Sequence, residues 1–231
     1  MKRIASIAVL AALAAVVVAS AQDRYRGDRQ WMVEDQLRRR GIHQPDLLNA
    51  METVPRHLFV AEDVQDRAYS DGALAEGPAG GLLQPYMTAL MIELLELDGT
   101  QKVLEIGTGS GYDAAVLSRL AREVYTIEIS PQVGAAAKER LRRLGYENVQ
   151  VRIGDGHGGW PSEAPFDAII LTAAPPEIPP RLIEQLKPNG KMVVPVGGVF
   201  QDLTLIEKTP QGLKQRRIEP VRVAPMSAEE E

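Results

Sequence analysis

The sequence predicts an α/β protein: a doubly wound, mostly parallel sheet of seven strands behind an N-terminal helical and loop extension. Three observations predict it. From residue 102 onward, short apolar runs alternate with segments of helical periodicity. The first of those runs leads straight into a glycine-rich turn, Gly107-Thr108-Gly109-Ser110-Gly111. Of the 231 residues, 45% are hydrophobic and 25% charged, which excludes collagen-like, coiled-coil and wholly disordered chains.

Residues 1–21 read as a separate unit. Lys2 and Arg3 precede an apolar run from Ile4 to Val18, broken only by Ser6, and Ala19-Ser20-Ala21 closes it with small residues. This is the layout of a cleaved secretory signal, and the run is short for a membrane span, which needs about 20 residues. Cleavage before Gln22 predicts a periplasmic or secreted chain without a membrane segment. Loss of Lys2 and Arg3 takes the formal charge from −5 to −7. That acidic balance argues against a nucleic-acid partner. The absence of cysteine excludes disulfides and thiolate nucleophiles. Three scattered histidines speak against a metal site. A monomer is expected.

Residues 22–99 form the extension. Asp23 to Asp28 is charged and reads as a loose leader. Residues 29–41 place Met32, Val33 and Leu37 at helical spacing and end at Gly41, a C-terminal helix signal. Residues 46–54 repeat the pattern with Leu47, Leu48, Met51 and Val54 before Pro55 stops it. Residues 60–83, rich in glycine and acids, read as a loop with short strand pieces. Pro85 opens a helix, and Met87, Leu90, Met91, Leu94 and Leu95 mark its buried face.

Residues 100–226 form the α/β unit. Strands are predicted at Lys102–Ile106, Glu123–Ile129, Val149–Ile153 and Phe166–Thr172. Helices are predicted from the glycine turn to about Ala121, over 131–144 up to Gly145, and over Pro180–Leu186. Lys187-Pro188-Asn189-Gly190 reads as a turn before a fifth strand, Met192–Val196. Leu203–Glu207 and Ile218–Val223, joined through Gln211-Gly212, have no helix between them and read as an antiparallel edge pair. Residues 227–231 are an acidic tail.

The glycine turn carries the chemistry. It lets a ligand approach the backbone closely, and it ends the first strand of an α/β array, where such sheets bind ligands. Glu128 ends the next strand, 21 residues past Gly107, where a carboxylate can accept both hydroxyls of a ribose. The spacing is G-x-G-x-G, not the G-x-G-x-x-G of a dinucleotide site. Glu105, just before the turn, suits a cationic ligand better than a pyrophosphate. Nucleoside plus cation points to S-adenosylmethionine, with a dinucleotide or an unliganded tight turn as the alternatives. Asp155-Gly156 ends the third strand at the same edge, where a carboxylate can accept from an adenine amino group. The expected cofactor contacts are therefore Glu105, Gly107, Thr108, Gly109, Gly111, Glu128, Asp155 and Gly156. His157 reads as a loop residue, not a base, and His43 and His57 as structural.

Family-specific motifs extend over nearly the whole chain after residue 21. They include Val54-Pro55-Arg56-His57-Leu58-Phe59-Val60, Ala68-Tyr69-Ser70-Asp71, Gln84-Pro85-Tyr86, Val103–Tyr112, Gly154-Asp155-Gly156, Ala164-Pro165-Phe166-Asp167, Val194-Pro195-Val196-Gly197 and Val223-Ala224-Pro225-Met226. In these the chain resembles the protein-L-isoaspartate O-methyltransferases. The resemblance implies a Rossmann-like class I methyltransferase fold, S-adenosylmethionine as cofactor and isoaspartyl-containing proteins or peptides as substrate. It implies repair through a methyl ester and a succinimide, with the substrate under the 68–88 loop and Asp71 as a contributor. The family's Gly-Gln-Thr-Ile-Ser-Gln-Pro stretch is here Ala79-Gly80-Gly81-Leu82-Leu83-Gln84-Pro85. Gly81 replaces its threonine, and Leu83 replaces the serine regarded as an active-site residue. No catalytic role is assigned to Leu83, and a weakened enzyme is the expectation. A redirected methyltransferase with a less polar acceptor, or a non-catalytic binding module, are the alternatives.

Overall fold

The computed structural model describes residues 24–74 and 81–227. The expected export signal and the acidic tail after Ser227 lie outside the described residues. No helix among the described residues is long and apolar enough to cross a membrane.

The seven strands form one sheet. They are β1 (Lys102–Ile106), β2 (Glu123–Glu128), β3 (Val149–Ile153), β4 (Phe166–Leu171), β5 (Leu186–Val196), β6 (Gln201–Thr209) and β7 (Gly212–Val221). Their spatial order is β3-β2-β1-β4-β5-β6-β7. The pairs from β3 through β5 are parallel, while β6 runs antiparallel to both β5 and β7. The chain winds outward from β1 to β3, then returns to place β4 on the other side of β1. The strand order therefore reverses between β1 and β4, and a crevice opens beyond their carboxyl ends.

Strand alternation sorts side chains onto two faces. Val103, Ala168, Ile170, Val193, Leu203 and Leu205 point into a core shared with the N-terminal extension. Leu104, Ile106, Ile169, Leu171, Met192, Val194 and Ile206 point into the opposite core. The extension supplies helix α1 (Arg26–Trp31), α2 (Pro45–Thr53) and α3 (Pro85–Glu93). Met32, Leu37, Leu47, Met51, Phe59, Met91 and Ile92 are its buried contribution to the first core. Helices α4 (Tyr112–Leu117), α5 (Pro131–Arg143) and α6 (Pro180–Gln185) are the crossover elements. Ser130 caps α5 by accepting from the Val133 amide at 3.4 Å, and Pro131 follows at its first turn.

Several elements differ from the sequence expectations, each for a local reason. The charged segment before residue 29 is anchored. Tyr25 is buried, its ring lies 4.4 Å from that of His57, and its hydroxyl donates to Asp66 at 2.9 Å. The helix at Arg26 continues through a π-helical stretch, Met32–Leu37, and a 3₁₀ turn, Arg38–Arg40. The buried line of α3 is Thr88, Met91, Ile92 and Leu95, while Met87, Leu90 and Leu94 are half-buried. This helix is apolar nearly all round, so periodicity alone misplaces its face by one residue. Helix α4 stops at Leu117, where Arg119 and Leu120 bond back three residues to Val116 and Leu117. Strand β5 starts at Leu186, and the expected turn is a bulge within it. Phe166 pairs with Leu186 but Ala168 with Lys191, and Asn189 takes φ 64 in between.

His57 fulfils its structural reading. It is 3% exposed, its Nδ1 lies 2.7 Å from the Tyr69 hydroxyl, and burial lowers its pKa from 6.5 to about 4, with Arg29 adding in the same direction. The folded state therefore keeps the ring neutral where the unfolded chain protonates it. The resulting stability is full above pH 6.5 and is lost as pH falls from 6.5 toward 4. By linkage the loss approaches about 3 kcal/mol. Urea unfolding at pH 7, 5.5 and 4 is expected to show that slope, with His57→Gln flattening it; an unchanged slope in the variant would assign the acid sensitivity elsewhere.

Candidate functional site

A cavity of 730 Å³ opens beyond the carboxyl ends of β1, β2 and β4. Its floor is the turn Ile106–Ser110, and its far walls are Ile127–Ser130 with Val133, Gly156, Thr172-Ala173 and the segment Arg222–Ser227. Ala73, Leu74 and Gly81–Leu83 roof it from the extension. Leu74 and Leu82 exchange backbone hydrogen bonds at 2.9 and 3.1 Å, which joins the two described ends of the roof.

The turn is built for close approach. Gly107 has φ 98, and a Cβ there would stand 2.3 Å from Thr172 Oγ1. That hydroxyl lies 2.7 Å from the Gly107 carbonyl and 3.1 Å from that of Ile106, so β4 clamps the start of the turn. Gly156 fits because a Cβ there would meet Ile106 Cγ2 at 2.3 Å. Gly109 and Thr108 also line the cavity.

Glu128 is the polar centre of the wall. One carboxylate oxygen accepts from the Gly109 amide at 2.8 Å and the other from the Ser130 amide at 3.0 Å. Each oxygen has further lone pairs, and the side chain lines the cavity. The carboxylate is thus held rigidly while retaining capacity for two hydroxyl donors.

Three expected contacts do not line the cavity, and they have other roles. Glu105 is wholly buried behind the turn. It accepts from Thr126 Oγ1 at 2.5 Å, Thr126 lies 2.6 Å from Thr108 Oγ1, and Glu105 Oε1 has no protein partner among the described residues. Burial, then Asp113, pushes its carboxyl well above the usual range, with Glu128 adding to the rise against the Thr126 hydrogen bond. Gly111 supports packing: with φ 86, a Cβ there would press on Leu141 at 3.2 Å. Asp155 stands at the rim beyond Gly156, where Oδ1 accepts from the His157 amide at 2.9 Å and lies 2.7 Å from His157 Nδ1. Asp71 is likewise outside the cavity. It pairs with Arg40 at 3.3 Å and accepts from Gln84 Nε2 at 2.6 Å, so it braces the loop. Leu83 does line the cavity, as do Gly81 and Leu82.

The structure adds residues that sequence reasoning passed over. Asp113 lines the cavity and accepts from Thr88 Oγ1 at 2.9 Å. Burial raises its carboxyl, against the opposing pull of Arg56 and Thr88. Arg56 is fully buried. Its Nε donates to the Ala68 carbonyl at 2.6 Å, its Nη2 to the Leu83 carbonyl at 2.5 Å, and its guanidinium lies 4.7 Å from the centre of the Tyr112 ring. It ties the roof to the helix that follows the glycine turn. The signal was a charged residue between Pro55 and the apolar Leu58-Phe59. Ser110 and Arg222 also line the cavity.

The titratable side chains on the wall are Asp113, Glu128 and Arg222, with Glu105 behind them. The turn itself is bordered by the carboxyls of Glu105, Asp113 and Glu128, and the Arg140 guanidinium beside it donates to the Ser110 carbonyl at 2.7 Å. The rigid diol acceptor at Glu128, the glycine cradle and the acidic surroundings fit a nucleoside that carries a cation.

Comparison with known proteins points the same way. Residues 28–231 match the family model described as Protein-L-isoaspartate(D-aspartate) O-methyltransferase (PCMT). Protein-L-isoaspartate O-methyltransferase 1 of Syntrophobacter fumaroxidans is 51% identical over 195 residues, covering 84% of this chain and 91% of that protein. A solved protein-L-isoaspartate O-methyltransferase superposes with TM-score 0.79 at 29% identity, covering 88% of this chain and 66% of the other. A Plasmodium falciparum structure, described as a putative protein-L-isoaspartate O-methyltransferase in complex with S-adenosyl-L-homocysteine, shares the fold with TM-score 0.74 at 23% identity. It covers 86% of this chain and 98% of the other.

Proposed function

This chain belongs to the protein-L-isoaspartate O-methyltransferase family, and we propose that it is an exported, monomeric member, cleaved after Ala21, that acts on aged proteins outside the cytosol. It is an S-adenosylmethionine-dependent carboxyl O-methyltransferase of L-isoaspartyl residues. The observation that carries the site assignment is the Glu128 carboxylate, held by two backbone amides and facing the glycine cradle. Export rests on the basic start, apolar run and small-residue end of residues 1–21.

When bound, S-adenosylmethionine supplies an electrophilic methyl group on a sulfonium. Glu128 would hold the ribose hydroxyls, Gly107 to Gly109 would leave room for the chain beside them, and Gly156 with the rim carboxylate of Asp155 would receive the adenine. The acceptor carboxylate, with a pKa near 4, is already ionised at neutral pH, so no side chain has to remove a proton. The task of the protein is orientation, which can supply about 7–11 kcal/mol. Leu74, Leu82 and Leu83 would form the apolar side of that line of approach.

Leu83 offers no hydroxyl to the acceptor carboxylate, so one hydrogen bond to a charged group, worth about 1.5–3 kcal/mol, is missing. Leu83→Ser is expected to raise turnover of isoaspartyl peptide by about 10-fold or more, measured with saturating cofactor. No gain would place the limit in the backbone of the roof. The same leucines favour a second reading, a less polar acceptor.

The test uses the chain from Gln22 onward, radiolabelled S-adenosylmethionine, and a peptide in matched isoaspartyl and aspartyl forms. Base-labile label on the isoaspartyl form alone is the expected result. Label on neither, with cofactor binding intact by calorimetry, would overturn it in favour of another acceptor.

A further inference from the structure

The two most exposed large apolar side chains among the described residues are neighbours. Val199 is 94% exposed and Phe200 90%, and both lie in the turn between β5 and β6. Placing two bare apolar side chains side by side at a turn is unfavourable unless something covers them. Strand β5 runs parallel to β1 and β4, so its carboxyl end, and this turn, lie at the edge of the sheet where the cavity opens.

The turn is also mounted on the cavity wall. Gln201, next to Phe200, accepts from the Val223 amide at 2.8 Å and donates to the Val223 carbonyl at 3.1 Å. Val223 lines the cavity. On the other arm, the Gly197 amide donates to Pro175 at 3.0 Å. Ala174, the residue before Pro175, exchanges backbone bonds of 2.8 Å with Ala224 and Met226, which line the cavity too. The backbone of the turn folds back on itself, since a Cβ on Gly197 would stand 2.1 Å from the Phe200 carbonyl. The turn that carries the two apolar side chains is thus tied on both arms to segments that line the cavity.

We propose that Val199 and Phe200 form an apolar docking tip for the substrate polypeptide, selecting isoaspartyl sites that have a large apolar side chain nearby in the chain. The proposal rests on the isoaspartyl methyltransferase reading and adds a substrate preference to it. An isoaspartyl residue reaches the cavity as part of a longer chain. Its flanking residues must lie outside the mouth, across the surface that carries this tip. Continuity of the tip with the cavity wall through Gln201 and Val223 favours the substrate as its occupant over a lipid surface.

The experiment compares the chain with the double variant Val199→Ser/Phe200→Ser. Both positions are solvent-exposed, so thermal stability should not change. The probes are two fluorescent isoaspartyl peptides, one flanked by leucine and phenylalanine, the other by serine and glycine. Binding is measured by anisotropy with S-adenosylhomocysteine present, and turnover with S-adenosylmethionine. The expected result is that the parent chain binds the apolar-flanked peptide about 10-fold more tightly, the scale of burying part of one large apolar side chain. The double variant should lose that difference through KM, with kcat on the serine-flanked peptide unchanged. Equal affinities for both peptides in the parent chain, or an unchanged preference in the variant, would overturn the proposal. So would variant-sensitive co-sedimentation with phosphatidylglycerol vesicles without a peptide preference, which would make the tip a membrane contact. Absence of methylation on either peptide strikes at the activity itself, while the anisotropy contrast still decides the tip.

Discussion

Glu128→Ala is expected to weaken binding of S-adenosylhomocysteine by at least about 100-fold, read by calorimetry at pH 7.5. The carboxylate makes two kinds of contact that alanine removes together. It holds the Gly109 and Ser130 amides at 2.8 and 3.0 Å, and it is the acceptor that a ribose diol would meet. Hydrogen bonds to a charged group contribute about 1.5–3 kcal/mol each. Losing the ribose pair alone accounts for the expected drop, and the released amides loosen the turn as well. Glu128→Gln keeps one carbonyl oxygen and the side-chain length, so its loss should be smaller, about 10-fold. A dissociation constant within threefold of the parent for the alanine variant would remove Glu128 from the site.

Gly107→Ala is expected to abolish measurable cofactor binding and to lower the unfolding temperature by roughly 5–15 °C, from a few kcal/mol of strain and overpacking. The new methyl would fall 2.3 Å from Thr172 Oγ1, on a backbone with φ 98. The threonine cannot retreat freely, because its hydroxyl is engaged with the carbonyls of Ile106 and Gly107. Either β4 moves away from β1 or the turn opens, and both displace the floor of the cavity. Gly72→Ala is the control, since a Cβ there meets nothing within 4 Å. If Gly107→Ala keeps its affinity and its unfolding temperature, the clamp between Thr172 and the turn has no role.

Most of the fold was legible because its signals are local. The parallel strands are short, apolar and separated by turn residues, so β1 and β3 fall where the apolar runs fall. That Glu128, Gly107, Gly109 and Gly156 line the cavity follows from the same local signals, since each comes at or just after the end of a readable strand. What was not legible depends on contacts across long stretches of chain. Tyr25 reads as part of a charged leader until the pocket made by His57, Tyr69 and Asp66 exists. Arg56 stands in the sequence only as part of a motif, and its role appears once Ala68, Leu83 and Tyr112 surround it. Glu105 has the spacing of a ligand contact, but its strand turns the side chain into the interior, toward Thr126. Helix α3 shows a limit of another kind, because an apolar residue at almost every position leaves periodicity without a phase.

The roof and the floor of the cavity touch. The Gly81 carbonyl accepts from the Ser110 amide at 3.4 Å and stands 3.1 Å from where a Cβ on Gly109 would lie. The loop that would receive the peptide therefore rests on the loop that would receive the nucleoside. A ligand that displaced one loop would have to displace the other, and the two ligands would then share a free energy of coupling. Reciprocity then holds whatever its size: the factor by which the nucleoside tightens the peptide is the factor by which the peptide tightens the nucleoside.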